Sequence, residues 1–358
     1  MKYKVCEVCV MDTSDPDIKF YGKRGCSNCS NAKKTYLRVK QESRDLKGLV
    51  QKIRRDGANK KYDCIIGVSG GVDSSYVAYV VKKLHLRPLA VHLDNGWDSK
   101  QAVLNVKKVL DRLGIDLYNY VIDWEEFRDI QMSSLKASTP DSEIPTDHAI
   151  VAILYKMALK HHVKYIIDGW NIETECILPQ KWSYGHADWK YIKSIQKQFG
   201  TKKIKTLPHY NRFQKMFYER AAHIERVHIL NYVPYNKARV KEKLKTEFGW
   251  TDYGAKHDES FYTKFYQNYI LPDKFGVDKR KMHLSSMIVS GQISREEALA
   301  ELAKPLHTQE EAVADHRYFY EKMGVSENEY KKIMKAEKRS YWDYPNYEND
   351  FIHKVFGL

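Results

Sequence analysis

The fold of this chain is decided by residues 61–75, KYDCIIGVSGGVDSS. The apolar run at 64–68 predicts a buried strand, and apolar residues recur at helical spacing over 72–84. Between them lies a turn with two adjacent glycines, which let the backbone approach an anion without a Cβ in the way. Strand, glycine turn and helix N-terminus together predict a phosphate cradle, because the turn N–H groups and the helix dipole both favour negative charge.

The side chains of this turn extend the same prediction. Serine hydroxyls can donate hydrogen bonds to phosphate, whereas a carboxylate is a poor phosphate ligand by itself. We therefore expect Asp73 to be catalytic by facing Mg²⁺ or the turn backbone. The candidate residues for binding ATP or pyrophosphate at this turn are Ser69, Gly70, Gly71, Asp73, Ser74 and Ser75.

The turn is not a Walker A loop, because no lysine follows its glycines. Residues 69–75 instead match the pattern Ser-Gly-Gly-x-Asp-Ser-Ser, and so resemble the PP-loop of the N-type ATP pyrophosphatases. The resemblance implies that ATP is cleaved between its α- and β-phosphates, that the loop holds the pyrophosphate, and that AMP passes to an acceptor oxygen. The alternative is an ordinary glycine turn before a helix.

Composition indicates a globular, strongly basic protein. The 358 residues predict two domains with a small appendage, and hydrophobic residues make up 43%. The start shows no signal peptide and no apolar run reaches about 18 residues, so we expect a cytoplasmic enzyme without membrane association. The net charge of +14 fits a solvated basic surface, or binding to nucleic acid, a nucleotide sugar or lipid headgroups.

Four cysteines near the N-terminus predict a metal site. Cys6 and Cys9 form one Cys-x-x-Cys pair, and Cys26 and Cys29 form a second, which is the spacing of a zinc ribbon. Four thiolates complete a tetrahedron around Zn²⁺ and leave no open position, so we expect structural zinc rather than a redox or iron–sulfur site. The segment 1–45 is too short to bury much core, and the metal would supply its folding energy.

Strands and helices alternate after a charged, helix-like connector at 40–60. The predicted strands lie at 64–68, 91–94, 117–122 and 164–168, and the predicted helices at 72–84, 101–113, 124–136 and 147–161. This alternation predicts an α/β fold with a doubly wound parallel sheet, in which ligands bind at the carboxyl ends of the strands.

Two further loops fall at that edge of the predicted sheet. Residues 94–97 resemble the loop that brackets adenosine in PP-loop enzymes, although a simple Asn-Gly turn is the alternative. Within residues 168–175, Gly169 would allow close approach to the nucleotide, and Glu173 or Glu175 could hold Mg²⁺. A polar loop that only caps the strand is equally open. The nucleotide-binding candidates of these loops are Asp94, Asn95, Gly169, Asn171 and Glu173, with Asp73 and Glu173 as possible magnesium ligands.

Helices dominate from residue 235 onward, so we divide the chain into three parts. Residues 1–45 form a zinc-ribbon-like segment, residues 46–235 a PP-loop domain, and residues 236–358 a helical C-terminal region for substrate or partner. The remaining cysteines, Cys64 and Cys176, are expected in the core. The aromatic-rich segments 180–191 and 341–356 are candidate partner surfaces.

Two C-terminal stretches carry candidate chemistry. Residues 249–260 contain two glycines and several ionisable side chains. We therefore expect a functional loop here rather than a helix. Lys256, His257 and Glu259 there offer a cation, a base and a carboxylate as catalytic candidates. Lys279 and Arg280 begin another helix and are candidates for binding a substrate phosphate, with a solvated helix start as the alternative.

Together these pieces resemble the N-acetyl sugar amidotransferases of surface-polysaccharide (LPS O-antigen) and flagellar-sugar biosynthesis, a branch of the PP-loop superfamily. The resembling parts are the four N-terminal cysteines and residues 69–75, 169–173, 256–260, 275–280 and 290–298. The resemblance implies that ATP adenylates the amide oxygen of an acetamido group on a nucleotide-activated sugar. Ammonia then displaces AMP from the imidate and leaves an acetamidino group.

The resemblance also implies partners and cofactors. The cofactors are ATP, Mg²⁺ and Zn²⁺. The sequence shows no glutaminase signature, so ammonia would come from a glutaminase subunit of the histidine-biosynthesis type, acting with a cyclase-like barrel subunit. Two alternatives stay open: a PP-loop tRNA-modifying enzyme of the lysidine synthase or thiolase type, and a nucleotide-binding regulatory subunit without activity.

Overall fold

A parallel sheet forms the centre of the fold. The computed structural model describes residues 2–183, 185–254 and 259–349. Within them, five strands form one parallel sheet in the order β3-β2-β1-β4-β5. The strands are β1 (Cys64–Gly67), β2 (Pro88–Asp94), β3 (Asp116–Val121), β4 (Tyr165–Asp168) and β5 (Glu225–His228). β1 lies at the centre, so the turn that follows it opens at the middle of the sheet's carboxyl edge.

Helices cover both faces of this sheet. In chain order they are α1 (Ser27–Glu42), α2 (Leu46–Gly57), α3 (Val72–Lys83), α4 (Lys100–Leu113), α5 (Trp124–Lys136), α6 (Ile144–Lys160), α7 (Ile172–Glu175), α8 (Trp189–Phe199) and α9 (Arg212–Met216). The C-terminal ones are α10 (Lys237–Phe248), α11 (Phe261–Phe265), α12 (Arg280–Val289), α13 (Arg295–Leu302), α14 (Gln309–Met323) and α15 (Glu327–Lys335). A π-helix, Tyr266–Phe275, continues α11.

The two faces bury separate cores, because side chains alternate along each strand. Ile65 of β1 packs in one core together with residues of α6. Its neighbours Cys64 and Ile66 pack in the other, with residues of α3, α4 and α10. Burial on both faces confirms the predicted doubly wound parallel sheet and the predicted core position of Cys64.

Several predicted element bounds differ from the structure. The helices at 124–136 and 101–113 agree with α5 and α4, but the predicted connector at 40–60 belongs to two helices, α1 and α2. α6 begins at Ile144 rather than at Asp147, because Pro145 suits a first helical turn. β5 was not predicted, since only Val227 of its four residues is apolar and buried. This polar composition reflects its position at the edge of the sheet.

The N-terminal cysteine segment packs against the C-terminal helices. The Arg295 guanidinium donates to the carbonyl oxygens of Cys6 at 2.9 Å and Cys9 at 3.2 Å. Lys281 of α12 forms an ion pair with Asp12, which is fully buried. The N-terminal segment is thus held against α12 and α13.

The aromatic segments serve the core in the described part of the chain. Trp182, Tyr191 and Tyr341 are each at most 2% exposed. The Tyr191 and Tyr341 rings lie 4.8 Å apart between centroids, and the Tyr344 hydroxyl donates to the Ala137 carbonyl. These buried rings therefore belong to the core and not to a surface. Trp342 is 48% exposed and residues 350–356 lie outside the described part of the chain, so the partner surfaces at 180–191 and 341–356 stay a prediction.

No helix among residues 2–183, 185–254 and 259–349 combines the length and apolarity needed to cross a bilayer.

Candidate active site

The turn between β1 and α3 can be built only with glycine at its second position. Gly70 has φ of +80°, and a Cβ there would lie 2.3 Å from the carbonyl oxygen of Ala102 in α4. The Gly70 carbonyl accepts a hydrogen bond of 3.0 Å from the Trp250 indole, which is 2% exposed. Trp250 follows α10, so the C-terminal part of the chain holds the turn in place.

Hydroxyl groups order the rest of the turn. The Ser69 N–H donates to the Ser74 Oγ at 3.2 Å, and the Gly71 N–H donates to the Ser69 Oγ at 3.3 Å. At the start of α3, the Val72 N–H donates to the Tyr253 hydroxyl at 3.3 Å. These donors line a cavity of about 290 Å³, so the turn faces open space at a helix N-terminus as a phosphate cradle requires.

Asp73 sits in the first turn of α3, beside a second tyrosine. The Tyr235 hydroxyl donates to the Asp73 carboxylate. Burial raises the pKa of Tyr235 well above its ordinary value, and the nearby charges of Asp73 and Glu175 add to the rise. Both carboxylates line the same cavity, and together they could hold a magnesium ion.

The end of β4 forms the opposite wall of this cavity. A Cβ at Gly169 would lie 3.0 Å from the Cβ of Asp73, so the wall approaches α3 closely. The Asp168 carboxylate accepts from the Arg226 guanidinium at 2.7 Å and contacts the His228 Nδ1 at 2.6 Å. Burial alone would raise the pKa of Asp168, but the imidazole and the guanidinium hold that pKa below its usual range. β5 thus brings the Arg226 guanidinium to the cavity and places His228 against Asp168.

A second cavity of about 560 Å³ continues the first. Both are lined by Ser69, Ser74, Asp168, Trp170, Glu175, Arg226 and Glu259, and we call the combined space the crevice. The second cavity adds side chains from the start of α6, from the loop before α8 and from the C-terminal region. The polar ones are Glu143, Thr146, Asp147, Ser183, His186, Thr263, Gln267, Lys279 and His283.

Two histidines in the crevice are held by carboxylates. The His92 Nδ1 lies 2.7 Å from the Val68 carbonyl, so this nitrogen must carry a proton, and Nε2 lies 3.1 Å from Asp98. Burial lowers the pKa of His92, but the Asp98 carboxylate outweighs it and raises this pKa. The His186 Nε2 lies 3.1 Å from the buried Asp141 carboxylate, and its pKa is raised to about 9 because the neighbouring carboxylates outweigh burial.

Many of the predicted site residues meet in the crevice. Ser69, Gly71, Asp73, Ser74, Asn95, Gly169, Glu259 and Lys279 all line it. Glu259 is placed by the strand-like pairing of two loops: the Ser99 N–H donates to the Glu259 carbonyl at 2.8 Å, and the Phe261 N–H to the Trp97 carbonyl at 2.9 Å. The predicted Lys256 and His257 lie outside the described residues.

Other predicted residues have structural contacts instead. Glu173 forms an ion pair of 2.6 Å with Lys40 of α1, and Glu175, not Glu173, lines the crevice. Asn171 is fully buried and caps α7 by accepting from the Thr174 N–H.

The three remaining predicted residues are also engaged. Asp94 accepts from the Gly96 N–H at 2.9 Å and so holds its own turn, as the Asn-Gly alternative implied. Ser75 is 3% exposed, inside α3. Arg280 pairs with Asp278 at 2.8 Å and donates to the Lys304 carbonyl at 2.9 Å, which leaves Lys279 as the crevice cation of this pair.

The sequence analysis missed the charged residues that reach the crevice from outside the three loops. Arg226 lies on the unpredicted edge strand, Glu143 lies just before the predicted start of a helix, and His186 lies in the aromatic-rich segment 180–191. A signal did exist for Asp98, since it follows the 94–97 turn directly.

The four N-terminal cysteines form a cluster of suitable size for zinc. Their four Sγ atoms lie within 4.8 Å of one another, and the Cys9–Cys26 and Cys26–Cys29 pairs are each 3.7 Å apart. Zn–S bonds in a tetrahedral site place sulfurs about 3.8 Å apart. All four side chains are buried, so the donor set fits a closed structural site.

Comparison with known families assigns the two halves of the chain separately. Residues 42–208 match the NAD synthase family model, which covers β1 to β4 and the turn after β1. Residues 259–356 match the model for the C-terminal domain of WbpG-like LPS biosynthesis proteins, which covers Glu259, Thr263 and Lys279. The chain belongs to the PP-loop superfamily. This PP-loop protein adds a WbpG-like C-terminal domain, as the resemblance in its sequence predicted.

Individual relatives of this PP-loop protein are distant. An uncharacterized protein of Methanocaldococcus jannaschii is 24% identical over 314 residues, which cover 84% of this chain and 93% of that protein. A tRNA-specific 2-thiouridylase of Fusobacterium nucleatum is 30% identical over 118 residues, or 31% of this chain and 34% of that enzyme. A tRNA-specific 2-thiouridylase of Lactobacillus delbrueckii is 27% identical over 169 residues, which cover 41% of this chain and 44% of that enzyme. The chain therefore matches less than half of either thiouridylase.

Solved structures give only weak similarities. An ammonia-dependent NAD synthetase from Campylobacter jejuni aligns at 15% identity and a TM-score of 0.31, covering 62% of this chain and 99% of that one. An NMN synthetase from Francisella tularensis aligns at 14% identity and a TM-score of 0.29, covering 63% of this chain and 89% of that one. The fold assignment of this PP-loop protein accordingly depends on its own strand order.

Gly70→Ala should remove ATP turnover, since the new Cβ meets the Ala102 carbonyl and displaces the cradle. We expect pyrophosphate release to fall about 10²-fold or more, because a small displacement of the reacting groups lowers the rate by about this factor. Gly114→Ala is the matched control: Gly114 has φ of +58° but open space around it. That variant should lose about 1–2 kcal/mol of stability and keep its turnover. Equal turnover in the two variants would contradict the assigned role of Gly70.

Cys9→Ser should lower zinc content and solubility together, because the metal supplies folding energy to the segment. Elemental analysis of the purified wild type should give one zinc ion per chain. Cys176→Ser is the control, since Cys176 lies outside the cluster. Iron with visible absorbance, or wild-type protein without zinc, would contradict the zinc site.

Proposed function

We propose that the chain is an ATP-dependent amidotransferase that converts an acetamido group of a nucleotide-activated sugar into an acetamidino group. The observation that carries this proposal is the shared crevice. Its PP-loop residues Ser69 and Ser74 face the same space as Thr263 and Lys279, which belong to the stretch matching WbpG-like LPS biosynthesis proteins. A nucleotide site and a sugar-related domain thus open on one cavity.

The chemistry of an amide explains why such an enzyme would use ATP. An amide carbon is a poor electrophile, and transfer of AMP to the amide oxygen both withdraws electrons and creates a leaving group. The Ser69 and Ser74 hydroxyls would hold the pyrophosphate, which would replace the hydrogen bonds that the Ser69 and Gly71 N–H groups now donate to these hydroxyls. Arg226, Lys237 and Lys241 line the same cavity and would offset its negative charge. A magnesium ion held by Asp73 and Glu175 would neutralise phosphate charge when bound.

The nitrogen is proposed to come from a partner. A glutaminase uses a cysteine thiolate as its nucleophile. Cys64 is fully buried, and burial raises the pKa of Cys176 above its usual value. Neither thiol lines the crevice in the described part of the chain. We therefore propose a separate glutaminase subunit of the histidine-biosynthesis type, with a cyclase-like barrel subunit, working in the cytoplasm on surface-polysaccharide (LPS O-antigen) or flagellar sugars.

The second candidate is a PP-loop tRNA-modifying enzyme of the lysidine synthase or thiolase type. It is favoured by the net charge of +14 and by the partial similarity to tRNA-specific 2-thiouridylases. A thiolase needs a reactive thiol at the adenylated base. The full burial of Cys64, and the partial burial that raises the pKa of Cys176, weaken that version.

The products separate these candidates. With ATP, Mg²⁺, ammonium chloride and UDP-linked acetamido sugars, we expect AMP and pyrophosphate in equal amounts and a sugar in which NH replaces the amide oxygen. Heavy oxygen placed in the acetamido carbonyl should be recovered in AMP, because that oxygen is the one adenylated. ADP and orthophosphate as products would contradict the proposal, and AMP release only with transfer RNA would favour the second candidate.

The nitrogen source gives a separate prediction. The purified chain should use high ammonium chloride but not glutamine, and addition of the matching glutaminase should restore glutamine use. The measurement is acetamidino product against each nitrogen donor. A glutaminase whose nucleophilic cysteine is replaced by serine is the control and should restore nothing. Robust turnover with glutamine by this chain alone would contradict the need for a partner.

A further inference from the structure

Glu143 differs in its partner from three carboxylates in and beside the crevice. Asp98 is paired with His92, Asp168 with Arg226 and His228, and the buried Asp141 with His186. Glu143 accepts instead from the hydroxyl of Thr263, and no ion pair to it occurs in the described part of the chain. Its carboxylate therefore contacts a neutral hydroxyl group where these three contact basic side chains.

Hydrogen bonds of its backbone fix the position of Glu143 at the start of α6. The Glu143 N–H donates to the Asp141 carboxylate at 3.1 Å, and its carbonyl accepts from the Asp147 N–H at 3.1 Å in the first turn of α6. Thr263 lies two residues after the start of α11, which the Ser260 side chain caps. Glu143 is thus positioned from both halves of the protein and lines the cavity that Ser69 and Ser74 of the PP-loop also line.

Charged side chains from its own segment, from the loop before α8 and from the start of α12 surround Glu143. Asp141 and Asp147 flank it in sequence, His186 faces both of them from the loop before α8, and Lys279 approaches from the start of α12. Burial raises the pKa of Glu143, Asp147 and Asp141 raise it further, and Lys279 with the Thr263 hydroxyl opposes them; the net direction is upward. A carboxylate with a raised pKa is a stronger base than an exposed one.

The proposed reaction requires such a group. When ammonium chloride is the donor, nitrogen arrives largely as ammonium, and ammonium has no lone pair with which to attack carbon. We propose that Glu143 binds the incoming ammonium ion and takes its proton beside the activated acceptor. This inference depends on the proposed amidotransferase function, and it adds the residue that generates the nucleophile.

The step balances without any further reactant. One proton moves from ammonium to the Glu143 carboxylate, which gives ammonia and a neutral carboxylic acid. The lone pair of ammonia forms the new C–N bond at the imidate carbon, and the bond from that carbon to the AMP-bearing oxygen breaks. AMP leaves with the oxygen, and the three hydrogens of ammonia remain on the two nitrogens of a cationic acetamidinium group. Glu143 returns its proton to water when the product leaves.

The test separates the two halves of the reaction. Exchange of labelled pyrophosphate into ATP, with the acetamido sugar and without ammonium, measures adenylation alone. In Glu143→Gln this exchange should stay within about 3-fold of wild type, whereas acetamidino formation from ammonium should fall about 10²–10⁴-fold. Hydroxylamine is neutral at pH 7 and needs no prior deprotonation, so it should be converted by the variant at nearly the wild-type rate.

Retained exchange also shows that the variant is folded. Glu125→Gln is the matched control, because Glu125 lies on the exposed side of α5 in an ion pair with Arg128. It should leave both measurements unchanged. Unchanged ammonium use in Glu143→Gln, or loss of its exchange and hydroxylamine reactions together, would overturn the role of Glu143. Absence of exchange in the wild type with every acetamido sugar would instead overturn the proposed function and this role with it.

Discussion

The site depends on the close packing of the Gly70 backbone between α4 and Trp250. Its carbonyl is bonded to the indole on one side, and the position of its absent Cβ is filled by the Ala102 carbonyl on the other. The turn after β1 therefore has one available geometry, and the N-terminus of α3 faces the cavity in that geometry. Since Trp250 follows α10, residues from the C-terminal half of the chain fix the phosphate cradle of the N-terminal half.

The cysteine segment supports the same site from another direction. Arg295 of α13 holds the Cys6 and Cys9 carbonyls, and α1 begins at the second cysteine pair. Lys40 near the end of α1 then pairs with Glu173 of α7, two residues before the crevice residue Glu175. A chain of contacts thus runs from the cysteines to the wall of the crevice. A closed metal site would thus support the wall of the crevice through these contacts, without taking part in the chemistry at the PP-loop.

The sequence predicted the parts of this structure that local physics determines. The strand, glycine turn and helix at 64–84 follow from burial and from the backbone freedom of Gly70, and the cysteine cluster follows from spacing. β5 could not be predicted, because an edge strand needs little apolar surface. The choice between Glu173 and Glu175 could not be made either, since it depends on where Lys40 lies. Glu143 and His186 gain their roles only from tertiary packing, which brings four segments to one cavity.

The central claim is that one crevice joins the PP-loop to the residues of the WbpG-like domain. A crystal structure with an ATP analogue that cannot be cleaved between the α- and β-phosphates, and with an acetamido sugar nucleotide, tests it directly. The account predicts pyrophosphate oxygens on the donors of residues 69–74, and the acetamido group between the α-phosphate and Glu143. A sugar nucleotide bound outside the crevice, or a triphosphate held away from Ser69 and Ser74, would contradict it.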